Sequence, residues 1–186
     1  MNHDIEIEYQ IHKALEFDML EGLATIDMVD YSIDEYGTRV RVGEVQFNVI
    51  NHLILTDIEL YEVFDSNADL CDIYSSINKY FDYDTTSIEG FNCGSIFILN
   101  KLLIYEKFRG IGIGRNVIKE LQQFSRINGY GTVILNAFPF EESEKMNIGE
   151  KVNNLEKFYK ENGFKTIEKS FTKRICVMIK DLSQIH

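Results

Sequence analysis

The chain has 186 residues, 45% of them hydrophobic and 12% aromatic, which is enough apolar material for one domain with its own core. Its net charge of −11 is unevenly spread: residues 1–100 hold 4 Lys and Arg against 20 Asp and Glu, a net of −16, and residues 101–186 hold 15 against 10. This balance argues against nucleic acid as the main partner and suits an anionic ligand on the second half.

The sequence contains no targeting or metal signal. No apolar run approaches the length of a membrane span, and the acidic N-terminus lacks the pattern of a secretory signal, so we expect a cytoplasmic protein. The cysteines are three and far apart, and the histidines are scattered, which predicts neither a disulfide framework nor a metal site.

The first predicted element is a half-buried strand, because apolar and polar residues alternate from Asp4 to His12. The stretch from Lys13 to Ile33 fits either a helical face or a strand, and both interpretations stay open. From Thr38 to Ile50 the alternation changes phase at Gly43, which predicts an extra residue there that keeps both apolar sets on one face.

Two capping-box patterns, Thr56-x-x-Glu59 and Ser66-x-x-Asp69, precede apolar residues at helical spacing and predict two short helices. An acidic and polar loop follows over Tyr80 to Gly94. The next segment, Ser95 to Tyr105, is apolar on both faces apart from two residues. Strands buried on both faces lie inside a sheet, so we expect this one to be central.

The pattern from Leu102 to Asn128 predicts a strand, a glycine-rich turn and an amphipathic helix. The turn therefore lies at a helix N-terminus, where unpaired N–H groups and the helix dipole favour an anion such as a pyrophosphate. The glycines would let that anion approach the backbone closely, and two arginines flank them. The residues concerned are Arg109, Gly110, Gly112, Gly114 and Arg115.

Spacing excludes two phosphate-binding motifs at this turn. A dinucleotide fingerprint counted from Gly110 needs its third glycine at the position of Arg115, and a P-loop needs a Gly-Lys-Ser/Thr that is absent. Further along, Thr132 to Leu135 predicts a strand, and Pro139 just beyond it predicts a loss of strand pairing. A helix ending at Asn162-Gly163 and a closing hairpin over residues 165–180 complete the prediction.

The Arg-x-x-Gly-x-Gly pattern of Arg109 to Gly114, followed by LEKFYKENGF at Leu155 to Phe164, resembles the two signatures of the GNAT N-acetyltransferase superfamily. The resemblance covers about residues 95–179. It implies an α/β fold with a mixed, mostly antiparallel central sheet, flanked by helices and splayed between the coenzyme strand and the next. It also implies a single domain, in which residues 1–94 form the acceptor side and residues 95–186 bind the coenzyme.

The resemblance implies acetyl-CoA as co-substrate and no metal. Backbone groups of Leu102 and Ile104 would pair with the pantetheine arm, and the turn with Arg109 and Arg115 would hold the pyrophosphate. Tyr159 would return a proton to the leaving thiolate; its alternative role is that of a core aromatic residue. No general base is visible, because Asn100 is an amide and the neighbouring acids have unknown geometry: Glu89, Glu106 and Glu141.

The predicted function is transfer of an acetyl group to a primary amine, carried by a small molecule or a protein. The charge of residues 1–100 favours a cationic acceptor. One alternative is a non-catalytic acyl-CoA-binding module, which the missing base supports. A second, an enzyme that acetylates charged tRNA, is disfavoured by the acidic first half. We expect no nucleic acid or membrane partner, and the sequence is compatible with a homodimer.

Overall fold

The computed structural model describes residues 4–30, 37–51, 55, 57–80, 95–139 and 147–182. The strands are β1 (Asp4–Lys13), β2 (Met19–Asp30), β3 (Thr38–Ile50), β4 (Ser95–Ile104), β5 (Tyr130–Asn136), β6 (Lys165–Ser170) and β7 (Ile175–Asp181). The helices are α1 (Asp57–Asp65), α2 (Ala68–Tyr80), α3 (Ile113–Ile127) and α4 (Ile148–Glu161), with a short 3-10 turn at Glu106–Phe108.

The described strands form one sheet in the order β1-β2-β3-β4-β5-β7-β6. Every neighbouring pair is antiparallel except β4 and β5, which run parallel. The predicted α/β fold with a mixed, mostly antiparallel sheet and flanking helices is therefore confirmed. The closing hairpin is confirmed as β6 and β7.

The segment with two open interpretations is strand β2, which forms a hairpin with β1. Ala24 pairs with Tyr9 and Ile26 pairs with Ile7, so the apolar residues of both strands share one face and pack into one core. The helical spacing of Leu15, Met19, Leu23 and Ile26 was a coincidence. Leu23 lies on the opposite face of the strand from Ile26 and is 39% exposed.

The predicted phase change in β3 is a β-bulge. Ile26 of β2 pairs with Gly43 and the next residue, Asp27, pairs with Arg41, so Val42 is the extra residue. The bulge returns the apolar residues on both sides of it to the same core cluster, as predicted. Gly43 is needed for close packing, since a β-carbon there would lie 2.3 Å from the carbonyl oxygen of Leu103.

Helices α1 and α2 confirm the two predicted short helices, but the predicted cap of the second is wrong. Asn67, not Ser66, caps α2, because its Oδ1 accepts a hydrogen bond from the N–H of Leu70 at 2.9 Å. The hydroxyl of Ser66 is buried and has no hydrogen-bond partner among the described residues. The predicted cap at Thr56 and residues 81–94 of the predicted loop lie outside the described residues.

The helices cover the two faces of the sheet. Helices α3 and α4 pack on one face and α1 and α2 on the other, which gives two core clusters. Strand β4 contributes to both, with Phe97 and Leu99 in the first and Ile96 and Ile98 in the second. It is therefore a central strand, as predicted. Among the described residues, no helix is both long and apolar enough to span a bilayer.

Candidate functional site

The sheet opens between β4 and β5. The two strands pair only from Ser95 to Leu99 on β4, which lie opposite Tyr130 to Leu135 on β5. Beyond that point β4 continues to Ile104 with β3 as its partner, while Asn136 of β5 pairs with β7. This divergence leaves a wedge-shaped opening, and it confirms the predicted splay next to the proposed coenzyme strand.

A second β-bulge lies where the strands part. Gln46 of β3 pairs with Lys101, and the next residue, Phe47, pairs with Leu99, so Asn100 is the extra residue and has no partner on β3. A bulge bends its strand and leaves one residue outside the ladder. Here it directs β4 away from β5 and brings Asn100 to the opening.

A cavity of about 70 Å³ occupies the opening. Its walls come from β4, from the end of β5 with the residues that follow it, and from α4. The lining residues are Leu99, Asn100, Lys101, Leu102, Leu135, Asn136, Ala137, Phe138, Leu155 and Tyr159. Among these described residues, Asn100, Asn136 and Tyr159 carry neutral polar groups, and none carries a carboxylate.

Tyr159 serves both as a core residue and as part of the cavity wall. It is 8% exposed, and its ring meets those of Phe158 and Phe164 edge to face, with centroids 5.1 and 5.6 Å away. Burial raises the pKa of the Tyr159 phenol well above its ordinary value, because the phenolate would lose its hydration. The group is consequently a protonated donor throughout the neutral range.

The backbone of β4 presents an unpaired edge to the opening. The N–H of Tyr105 donates to the carbonyl of Val42 on β3 at 2.9 Å, so strand alternation directs the groups of Leu102 and Ile104 away from β3. Among the described residues no strand pairs with that edge. The carbonyl of Ile104 accepts a hydrogen bond from Nε of Arg109 at 2.8 Å, which ties the turn to the strand.

The glycine turn has a backbone conformation that favours glycine at two positions. Gly110 and Gly112 have φ of 81° and 91°, in the left-handed region where other residues are strained. A β-carbon at either would meet nothing within 4 Å, so backbone conformation rather than crowding demands glycine. Gly114 differs, since a β-carbon there would lie 3.4 Å from Cζ of Phe158.

Several successive backbone amides at this turn have no hydrogen-bond partner among the described residues. The N–H groups of Arg115 and Asn116 both donate to the carbonyl of Gly112, at 3.1 and 3.2 Å, and begin α3. The N–H groups of residues 110–114 make no hydrogen bond within the part of the chain that is described. Arg115 lies beside them but forms an ion pair with Glu161 of α4 at 3.0 Å, with both side chains about half exposed.

The structure places the remaining predicted candidates less favourably. Glu106 is exposed on the 3-10 turn, and Glu89 and Glu141 lie outside the described residues. Asn100 does line the cavity. Within the described ranges, no three His, Cys, Asp or Glu side chains lie close enough together to hold a metal ion.

One residue of this region, Asn48, is missing from the sequence-based prediction. Its side chain is 6% exposed on β3, and its Oδ1 accepts a hydrogen bond from Nδ2 of Asn100. No local pattern points to it, because the two asparagines are 52 positions apart in the sequence. Only the register of β3 and β4 brings them together.

A mostly antiparallel sheet that opens beside a bulged central strand, followed by a glycine turn and a helix, is the fold of the GNAT N-acetyltransferases. Among solved structures, the chain is similar to an agmatine N-acetyltransferase, with a TM-score of 0.50 and 10% identity over 86% of this chain and 73% of that one.

Two other solved structures match at lower TM-scores. Arylalkylamine N-acetyltransferase 2 from Aedes aegypti has a TM-score of 0.49 and 11% identity over 86% of this chain and 73% of that one. NAA60 from Arabidopsis thaliana, in complex with acetyl-CoA, has a TM-score of 0.47 and 14% identity over 85% and 76%. No family model and no curated protein matches the sequence. At such identities the likeness concerns the fold, and the chemistry rests on the site.

Proposed function

We propose that the protein transfers an acetyl group from acetyl-CoA to a primary amine. One observation carries the proposal: the unpaired edge of β4, the cavity with Tyr159 and the unpaired amides of the glycine turn follow one another along a single opening. The position of a β-carbon on Gly114 is 4.0 Å from Ile104, so the turn and the β4 edge are contiguous. A long ligand with an anionic centre and an amide-containing arm fits such a series of groups.

Each part of the opening has a separate task in binding. The edge of β4 offers the N–H groups of Leu102 and Ile104 and the C=O group of Leu102 to the amides of the pantetheine arm, as a strand would. The amides of residues 110–114 and the positive end of α3 receive the pyrophosphate. Arg109 and Arg115 add positive charge beside the same turn.

Acetyl-CoA, when bound, supplies a thioester whose C–S bond breaks as the new C–N bond to the amine forms. We assign Tyr159 the role of general acid. Its phenol would donate a hydrogen bond, and then a proton, to the sulfur of the thioester. Its raised pKa makes it a weaker acid than free phenol, yet the same burial also raises the proton affinity of a thiolate. The transfer therefore stays within the range of general acid catalysis.

The proton on the amine must leave by another route. No carboxylate or histidine lines the cavity among the described residues. We propose that water in the cavity carries this proton to solvent, which makes the unprotonated fraction of the free amine the reactive one. With an intrinsic pKa of about 10.4, a lysine-like amine is only about 0.04% neutral at pH 7, so the rate rises toward pH 9.

The acceptor that we propose is cationic, on the side formed by residues 1–94. The net charge of −16 over residues 1–100 supports it. Part of that charge is compensated locally, since Glu6 is paired with Arg39 and Glu44 with Lys101, both at 2.7 Å. The negative electrostatic field of residues 1–100 therefore steers a cationic amine toward the opening, and no single carboxylate is needed to bind it.

A non-catalytic acyl-CoA-binding module is the second candidate, and the absence of a carboxylate from the described cavity wall favours it. Calorimetry with acetyl-CoA, together with thiol release in the presence of agmatine, spermidine, tryptamine or a short peptide, separates the two. Binding followed by amine-dependent thiol release supports the transferase. Binding without release from any of these amines supports the module, and no binding overturns both.

A further inference from the structure

Two polar contacts among three residues lead from the interior of the sheet to the cavity. Nδ2 of Asn48 donates to Sδ of Met19 on β2 at 3.7 Å, and Oδ1 of Asn48 accepts from Nδ2 of Asn100. Asn48 and Met19 are each 6% exposed, so water does not compete strongly for their polar atoms. Only Asn100, at the end of the series, reaches the cavity wall.

The chemistry of Met19 determines the direction of both amides. A thioether sulfur accepts hydrogen bonds and cannot donate them, so the NH₂ group of Asn48 must face Met19 and its oxygen must face Asn100. Asn100 must then turn its own NH₂ group toward Asn48. Its Oδ1 remains an acceptor without a partner among the described residues.

We propose that Oδ1 of Asn100 accepts a hydrogen bond from the N–H of the attacking amine, and that Asn48 and Met19 hold the amide in the required orientation. This inference rests on the proposed acetyl transfer and deepens it. It assigns the amine-binding contact to the residue that lies outside the ladder of β3 and β4. From the sequence alone, Asn100 is considered only as a general base, and an amide is unsuitable for that role.

An amide oxygen suits this task because it binds the amine without removing its lone pair. A neutral primary amine has two N–H groups and one lone pair, so it donates one N–H to Asn100 and keeps the lone pair for the thioester carbon. As the C–N bond forms and the C–S bond breaks, the amine loses a proton to water and the sulfur gains one. Asn100 is thus a contact to the acceptor, and Asn48 is a positioning residue.

The principal test is Asn100→Leu, which keeps nearly the same size and removes the acceptor. With agmatine, spermidine or tryptamine as the amine, we expect kcat/KM to fall about 10-fold or more, the scale of one lost hydrogen bond. The Kd for acetyl-CoA, measured by calorimetry, should stay within about twofold of the parent's. Asn154→Leu, on the exposed face of α4, is the matched control and should behave as the parent.

Two further variants test the orientation of the amide. Met19→Leu conserves volume and removes the sulfur, and Asn48→Leu removes the partner of Asn100 itself. Each should raise the KM for the amine several-fold while the Kd for acetyl-CoA is unchanged. Combining Asn48→Leu with Asn100→Leu should cost no more than Asn100→Leu alone, because the two residues act through one contact. If Asn48→Leu does not fold, Met19→Leu still tests whether the orientation of the Asn100 amide matters for the amine.

Three results would overturn the inference. Equal amine transfer by Asn100→Leu and the parent would remove Asn100 from the acceptor site and leave the proposed function intact. Weaker acetyl-CoA binding by Asn100→Leu would mean that the residue shapes the opening rather than touches the amine. A parent protein that transfers acetyl groups to none of the amines would refute the proposed function, and this inference with it.

Discussion

Tyr159 combines two environments in one side chain. Its ring packs between Phe158 and Phe164 in the core, and the residue also lines the cavity where β4 and β5 diverge. Core burial keeps the phenol protonated, and a position in the cavity wall would allow it to donate to a ligand in the cavity. The ring packs in the core, whereas the hydroxyl is the group to which we assign the proton transfer, and a single-atom deletion can test the two separately.

We predict that Tyr159→Phe lowers kcat by about 100-fold, the usual scale for one general acid, while the Kd for acetyl-CoA stays the same. The ring remains and only the donor is lost. Steady-state kinetics under conditions where chemistry limits turnover measures the effect. Tyr130→Phe is the control, because Tyr130 belongs to the aromatic cluster around Phe97 and Phe124 and does not line the cavity. An unchanged kcat in Tyr159→Phe would leave the residue with a core role only.

The glycine turn allows an equally matched comparison. We predict that Gly112→Asp weakens acetyl-CoA binding by at least about 100-fold, because a carboxylate would stand at the amides that we propose as the pyrophosphate site. Gly129→Asp is the control. Gly129 lies just beyond the C-terminus of α3, has a φ of 74° and also has nothing within 4 Å of a β-carbon.

Both substitutions therefore introduce the same backbone strain and the same charge, and only one of them lies at the proposed site. Calorimetry should find the affinity of Gly129→Asp close to that of the parent. Tight binding by a folded Gly112→Asp variant would place the pyrophosphate elsewhere.

At the scale of elements, one ionic cluster joins α4 to β6. Glu156 of α4 contacts Lys160, Lys169 and the hydroxyl of Thr166, the last at 2.8 Å. These hydrogen bonds lower the pKa of Glu156 to about 2, with Lys160 and Lys169 the main causes. The cluster fastens the helix that carries Tyr159 against the edge of the sheet.

A pKa that is lower in the folded than in the unfolded chain gives stability that is present above the unfolded pKa of about 4.3 and is lost as the pH falls through about 2. We predict that Glu156→Gln lowers the urea midpoint at pH 7 and that its deficit shrinks as the pH approaches 2. Glu161→Gln, which removes a half-exposed pair, should change the midpoint less. A deficit that is independent of pH would mean that Glu156 acts through packing.

The two bulges explain which elements the sequence could reveal. In β3 one face is polar, so the extra residue Val42 shifts the visible alternation and predicts the bulge. In β4 both faces are apolar, so the extra residue Asn100 changes no pattern. The glycine turn and Tyr159 belong to local motifs, so the sequence alone can single them out as candidates. Asn48 was missed because its role depends on pairing between distant segments.

At the scale of the whole molecule, the charge asymmetry predicts a salt effect. If the acidic first half steers a cationic amine, the KM for agmatine or spermidine should rise about two- to fivefold between 10 and 150 mM salt, as the Debye length falls from about 30 to about 8 Å. The effect should be modest, because Glu6 and Glu44 are already paired.

A neutral amine such as hydroxylamine is the control, and its KM should change little over the same range. Steady-state kinetics at constant pH makes the comparison. A salt-independent KM for spermidine, or a preference for anionic acceptors, would leave the acidic half as ordinary solvated surface.

The unpaired edge of β4 also leaves a signature in amide hydrogen exchange. In the free protein, the amides of Leu103 and Tyr105 are protected by β3, whereas those of Leu102 and Ile104 face the opening and should exchange rapidly. The exchange rate should therefore alternate between slow and fast from one residue to the next along the strand. Addition of acetyl-CoA should slow exchange at Leu102 and Ile104 and leave their neighbours unchanged, so the ligand would complete the sheet as a missing strand does.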